Sequence, residues 1–217
     1  DARDYDGFSE EVGLDDLLDD GLLDLNDDDT PDTGATNIAS TGETISQLLA
    51  EDRLGELDFT SATGDTDDDG LIEQLYNYGG RSFSIFDEDG ELVFDSGDEF
   101  ERIVAREIPR DFNADNDENG SFDSRSDAKG PEPEAIITGK VNGITYAFIG
   151  LERVGGIMVY DLSNPSNPEF VEYINNRNFR DETGKPISVQ LEDDSVNPAV
   201  GDLGPEGFDF IPADESP

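Results

Sequence analysis

The chain has 217 residues, with 55 Asp plus Glu against 13 Lys plus Arg, no histidine, no cysteine and a formal net charge of −42. Self-repulsion of this size has to be offset by salt or bound cations, so nucleic acid and anionic membranes are poor partners, and metal cations or a cationic surface are better ones. The missing residue types exclude disulfides, thiol chemistry, Ser-His-Asp and Cys-His catalysis and imidazole-based zinc sites, which leaves carboxylates, Arg, Lys, Tyr or a hard metal for any chemistry.

Lysine is confined to Lys129, Lys140 and Lys185, and this acidic, lysine-poor balance fits a high-salt habitat or a calcium-rich extracellular one. No segment approaches the roughly 20 apolar residues that span a bilayer, so no membrane insertion by this segment is expected. The chain opens on Asp1 and shows no signal peptide, as a mature or excised piece would.

In chain order, "DARDYDGFSEE" reads as the end of a β unit, residues 1–12. Residues 13–74 read as an acidic insertion with one or two short helices. Leucines at 14, 17 and 18 suit a helix over 14–19, which the following Gly, Asn-Asp and "TPDTG" break. "STGETISQLLAEDRLGEL" (Ser40 to Leu57) predicts a better helix, capped by Thr41 or Thr44. From residue 75 the pattern becomes β. Phe83, Ile85, Leu92 and Phe94 flank an Asp-Glu-Asp-Gly turn as a hairpin. Residues 111–133 form a polar loop. Four strands then follow, at Ala135–Val141, Ile144–Leu151, Gly156–Asp161 and Glu169–Ile174, joined by short turns into a meander.

A repeat is visible in this part. "GGRSFSIFD" (Gly79 to Asp87) matches "GGIMVYD" (Gly155 to Asp161), "EFERI" (Glu99 to Ile103) matches "EFVEYI" (Glu169 to Ile174), and "PEGFDFI" (Pro205 to Ile211) matches "PEAIITG" (Pro133 to Gly139). Repeated four-stranded units predict an all-β chain, part of a β-propeller of four-stranded antiparallel blades with a short helical acidic insertion. The alternative is a single sandwich with coincidental glycine pairs. Residues 75–217 are the blades, the last of them incomplete, so further blades or neighbouring subunits are expected to complete the ring.

The blocks "DSRSDAKGPEPEA", "TYAFIGLERVGGIMVYDLSNPSNPEFVEYINNRNF" and "GDLGPEGFDFIPADESP" resemble the C-terminal half of choice-of-anchor I domain proteins. That group is similar to the mesenchyme-specific cell-surface glycoproteins linked to biomineralisation, and more distantly to phytase-like β-propellers. The resemblance covers residues 1–12 and about 75–217. It implies a secreted or surface-anchored propeller associated with calcium. Phosphatase-like labels among relatives rest on fold, a weak warrant for chemistry.

Two loops carry alternate carboxylates before a glycine, a spacing that lets side chains converge on one calcium ion. In "DTDDDGLIEQL" these are Asp65, Asp67 and Asp69, with Glu73 as a later ligand. In "DNDENGSFDSRSD" they are Asp115, Asp117 and Asn119, with Asp123 further on. Neither is a complete EF-hand, since the twelfth positions are Tyr76 and Ser126. Each is a calcium loop or a solvated acidic turn, and Asn119-Gly120-Ser121 is also a formal glycosylation sequon. Glu134 and Glu206 follow proline at strand entrances. They are channel-facing carboxylates of successive blades, or they cap turns or pair with arginine. Glu152 and Arg153 suit a charge pair at the channel mouth, and Arg3, Arg125 and Arg177 suit further pairs or a bidentate phosphate grip. Two functions follow: a structural or binding role for a calcium-loaded extracellular propeller, or a calcium-dependent phosphoesterase with Glu134 and Glu206 as ligands or base.

Overall fold

The computed structural model describes residues 4–5, 8–50, 53–213 and 215–216. It is mostly β, with antiparallel sheets and few helices, and divides into two compact units, Asp1–Gly79 and Gly80–Pro217.

In the first unit β1 (Asp4–Tyr5) pairs with β2 (Phe8–Ser9), and β3 (Glu11–Gly13) pairs with β4 (Asp58–Thr60), both antiparallel. Between β3 and β4 lie α1 (Leu14–Asp19) and α2 (Ile45–Leu48). Helix α1 forms where the leucine spacing predicted it and buries Leu14 and Leu17. The longer helix expected over 40–57 shrinks to one turn. Thr44 caps α2 through a capping box, its side chain taking the Gln47 N–H while Gln47 reaches back to the Thr44 N–H. The apolar content is small: Leu14, Leu17, Leu23 and Ile72 form the buried cluster.

In the second unit β5 (Ser84–Phe86) and β6 (Leu92–Asp95) make the expected hairpin, and α3 (Glu99–Glu107) follows. Here the structure departs from the sequence reading. "EFERI" was expected as a strand by analogy with "EFVEYI", yet it opens a helix. Its continuation places Phe100, Ile103 and Val104 on one face at helical spacing, and all three are buried. The tertiary environment rewards that face, so the five-residue likeness has no structural counterpart.

The meander is as read. β7 (Pro133–Val141), β8 (Ile144–Leu151), β9 (Ile157–Asp161) and β10 (Glu169–Ile174) form one four-stranded antiparallel sheet in the order β10-β9-β8-β7. Asn142 and Gly143 both take positive φ, as the two-residue turn between β7 and β8 requires. One face presents Ala147, Ile149, Met158 and Tyr160 to the core shared with Phe83 and Phe100. The Phe83 ring lies 4.8 Å from that of Tyr160 and 5.9 Å from that of Phe100, so three aromatic side chains join hairpin, helix and sheet.

The opposite face carries Ile137, Phe148 and Val159 in one cross-strand row. Residues 203–211, expected to begin another blade as a strand, form no ladder and lie across this face. Phe210 stacks on Phe148 at 5.9 Å and sits where a side chain at Gly139 would be, and Phe208 does the same at Gly150. A segment that crosses a sheet face finds no free strand edge to pair with, so its contacts are made by side chains.

Candidate functional site

Two groups of carboxylates bring oxygen atoms within 4.8 Å of one another: Asp65, Asp67, Asp69 and Glu73, and Glu132, Glu134 and Glu152. The first was expected from sequence; the second joins two expected residues, Glu134 and Glu152, to Glu132.

The loop 65–73 is wound by its own carboxylates. Asp65 accepts the N–H groups of Asp68 at 2.7 Å, Asp69 at 3.2 Å and Gly70 at 2.9 Å. Glu73 closes the loop by accepting the Thr66 N–H at 2.6 Å and the Thr66 hydroxyl at 2.9 Å. Asp68 and Gly70 both sit at positive φ, 67° and 98°. Lost hydration pushes the Asp67 carboxyl above its usual range; the nearby charges of Asp69, Glu73 and Asp29 add to this, and the Asp69 N–H opposes it. Among the described residues no basic side chain pairs with any of the four. The donor set is all hard oxygen, which suits calcium in preference to softer metals.

The sequence reading missed a second loop with the same backbone. Asp24, 2% exposed, accepts the N–H groups of Asp28 at 3.1 Å and Asp29 at 2.8 Å, as Asp65 does four and five residues on. Asp32 accepts the Leu25 N–H at 2.8 Å, as Glu73 does for Thr66. Positive φ falls at the matching positions, Asp27 at 54° and Asp29 at 58°. The two loops are joined by a parallel bridge between Leu23 and Ile72, with the Asp24 N–H donated to Ile72 O at 3.0 Å. The signal was present in "DLNDDDTPD". Asp24, Asn26 and Asp28 alternate and a carboxylate stands at the ninth position, but the unbroken aspartate run hid the spacing and no glycine marked it.

The loop 115–123 is built otherwise. Asn119 is buried and fully used: its amide donates to Ile187 O at 2.9 Å and Asn178 O at 3.2 Å, and its oxygen accepts from Arg177 at 2.9 Å. Asp115 pairs with Arg125 at 3.6 Å and accepts the Asp117 N–H, while Asp123 accepts from the Ser126 hydroxyl. Asp117 lies at the edge of a shallow cavity of about 300 Å³ shared with Pro186–Gln190. Among the described residues, Asp115, Asp117 and Asp123 do not form a carboxylate group close enough to share an ion. Arg177 is a clasp: it donates to Asn119, to Asp115 O at 2.7 Å and to Arg153 O at 3.1 Å, and lies 4.5 Å above the Phe179 ring. Its burial lowers its pKa, against the pull of Asp115, Asp111 and other acidic groups nearby. Arg3 lies outside the described residues.

The second carboxylate group carries its own cations. Glu132, buried at φ 54°, takes Lys129 at 2.9 Å and Arg153 at 2.5 Å, and Arg153 also meets Glu152 at 3.2 Å. Burial would raise the Glu132 carboxyl, but the hydrogen bonds from Lys129 and Arg153 win and hold it below its usual range. Glu152 is pushed up to about 7, by burial first and then by Glu132 and Glu134 against the pull of Arg153. The expected Glu152–Arg153 pair is therefore present, inside a latch that ties the entrance of β7 to the end of β8. Glu206, itself exposed, follows Pro205 in the segment 203–211 and does not join Glu134 in this group.

A chain with this sheet, these acidic loops and this sequence belongs to the choice-of-anchor I domain family, whose description matches residues 3–165. It is 35% identical to gigasin-3a of Magallana gigas over 116 residues, 51% of this chain and 40% of that protein. It is 28% identical to the mesenchyme-specific cell surface glycoprotein of Strongylocentrotus purpuratus over 143 residues, 57% of this chain and 18% of that protein. The matched stretches are thus well under half of each relative. No solved structure matches the chain. Among the described residues no helix is long and apolar enough to cross a membrane.

Proposed function

We propose that the chain is part of a secreted or cell-surface β-propeller that binds calcium and has a structural or binding role, in a surface layer, filament or mineral-associated matrix. The observation that carries the metal is the Asp65–Glu73 loop, where four carboxylates converge without any basic partner among the described residues. Folding this loop brings like charges together, and a cation of charge +2 removes that cost. The neighbouring Asp24–Asp32 loop has the same backbone winding, but among the described residues its carboxylates do not converge as those of 65–73 do.

In this reading β7–β10 is one blade of the propeller, residues 75–217 are blades, 1–12 end an earlier blade, and 13–74 are the acidic insertion. The four-stranded antiparallel sheet supports the blade assignment. Glu134, on the first strand of that blade, faces the channel, and Glu206 marks the entrance to the next. The surface location is supported by family membership and by the similarity to a cell-surface glycoprotein.

The test is thermal unfolding of the chain at low salt with calcium, then with excess chelator. A fall in Tm on chelation, restored by calcium but not by an equal ionic strength of sodium chloride, is the expected result. An unchanged Tm refutes the calcium role.

A further inference from the structure

Beyond the metal loops, the face of the sheet crossed by residues 203–211 holds a cavity of about 340 Å³, at the small end of the roughly 300–1,000 Å³ in which ligand sites fall. Its floor is apolar: Ile157 and Ile174, directly paired across β9 and β10, with Leu203 and Pro205 of the crossing segment opposite. Ile174 is 49% exposed. The rim is acidic. Asp202 accepts the Asn176 amide at 2.6 Å through Oδ2 and meets no basic side chain among the described residues. Glu172, two residues before Ile174 on the same face of β10, is exposed and equally without a basic partner there.

An apolar slot ending at a carboxylate is the complement of an aliphatic stem ending in a cation. We propose that this cavity receives a lysine side chain of a basic partner segment, its methylenes against Ile157, Ile174 and Leu203 and its ammonium at Asp202. The net charge of −42 draws such a segment in from a distance, and the slot then selects for stem as well as charge. Gly204 and Pro205 of the Gly204-Pro205-Glu206 motif form one wall. The inference stands whether or not the acidic loops hold calcium.

The test uses the whole chain in saturating calcium and 0.5 M salt (roughly a 4 Å screening length), followed by amide chemical shifts. The probes are Nα-acetyl-lysine methylamide, its norleucine analogue (stem without charge) and methylammonium (charge without stem). Saturable shifts at Gly156, Ile174 and Gly204 with the lysine probe alone are expected, weakened at least tenfold in Asp202→Asn and unchanged in the control Asp193→Asn. Asparagine keeps an oxygen for Asn176, so the variant preserves the local fold. Ile174→Ser is expected to weaken the lysine probe, and methylammonium is expected to give no saturable shift at the cavity in either protein. Shifts spread over all acidic loops, equal responses to lysine and methylammonium, or no saturation at the cavity overturn the proposal.

Discussion

The two carboxylate groups answer the same electrostatic problem in different ways. Around Glu132, Glu134 and Glu152 the counter-charges are covalently part of the chain: Lys129 and Arg153 sit among the acids, and Glu152 holds its proton up to about 7. Among the described residues, only backbone N–H groups and the Thr66 hydroxyl donate to Asp65, Asp67, Asp69 and Glu73. The first group is neutralised from within the chain, whereas the second has no basic partner among the described residues. Basic side chains are scarce in a protein this acidic, and two of them, Lys129 and Arg153, meet the buried Glu132.

That contrast can be broken most sharply at the latch. Removing one partner of a buried ion pair leaves the others unbalanced, so Glu132→Gln is expected to destabilise the Gly80–Pro217 unit by about 3 kcal/mol in urea unfolding followed by circular dichroism. It should leave calcium affinity untouched. A variant as stable as the parent would show that Lys129 and Arg153 gain nothing from Glu132.

The loop should behave in the opposite manner. With calcium at a hundred times its dissociation constant, linkage gives about 2.7 kcal/mol of stabilisation. In Asp65→Asn this increment should shrink as calcium affinity, measured by calorimetry, falls at least tenfold. Equal calcium binding by Asp65→Asn and the parent would remove the loop from consideration.

A smaller effect is expected from pH. The folded-state pKa of Glu152, about 7, lies above its usual 4.5, so the fold favours the protonated form. Its contribution to stability is therefore complete below about 4.5 and is lost as pH rises through 7. In calcium-free buffer the Glu152→Gln variant should flatten this part of the stability profile and exceed the parent at pH 8. An identical slope in both proteins between pH 5 and 8 would assign the dependence to other groups.

The smallest change tests the first unit without touching a metal. Thr44→Ala removes the cap of α2 and should cost about 1 kcal/mol in the Asp1–Gly79 unit. Calcium should restore the Tm of this variant by the same increment as in the parent, because the cap and the loop share no hydrogen bond.

Much of the β architecture was legible because its determinants are local. The strands β7 to β10 alternate or run apolar, and Asn142-Gly143 and "SNPSNP" end them within a residue or two of where the sequence places the breaks. The helix α3 was not legible from "EFERI" alone, because five residues cannot separate a period of two from one of 3.6; the burial of Phe100, Ile103 and Val104 together separates them. Of the site, the 65–73 loop was visible through its spacing and its glycine. The 24–32 loop carried the same spacing but replaced the glycine with Asp29, which takes the same positive φ at greater steric cost. The loop 115–123 shows the converse, since the same spacing there places Asn119 and the Asp115 carbonyl on Arg177 and turns Asp123 to Ser126.

The sequence by itself determined the family, the sheet, the excess of negative charge and the residue types able to answer it, since all of these follow from composition, short-range periodicity and extended similarity. The tertiary structure decided which carboxylates are neutralised from within. Arg153 reaches Glu132, twenty-one residues away, because β7 and β8 pair in register, whereas among the described residues no basic side chain pairs with Asp65. Charge pairing depends on distances of a few ångströms across segments far apart in the chain, and only folding sets those distances.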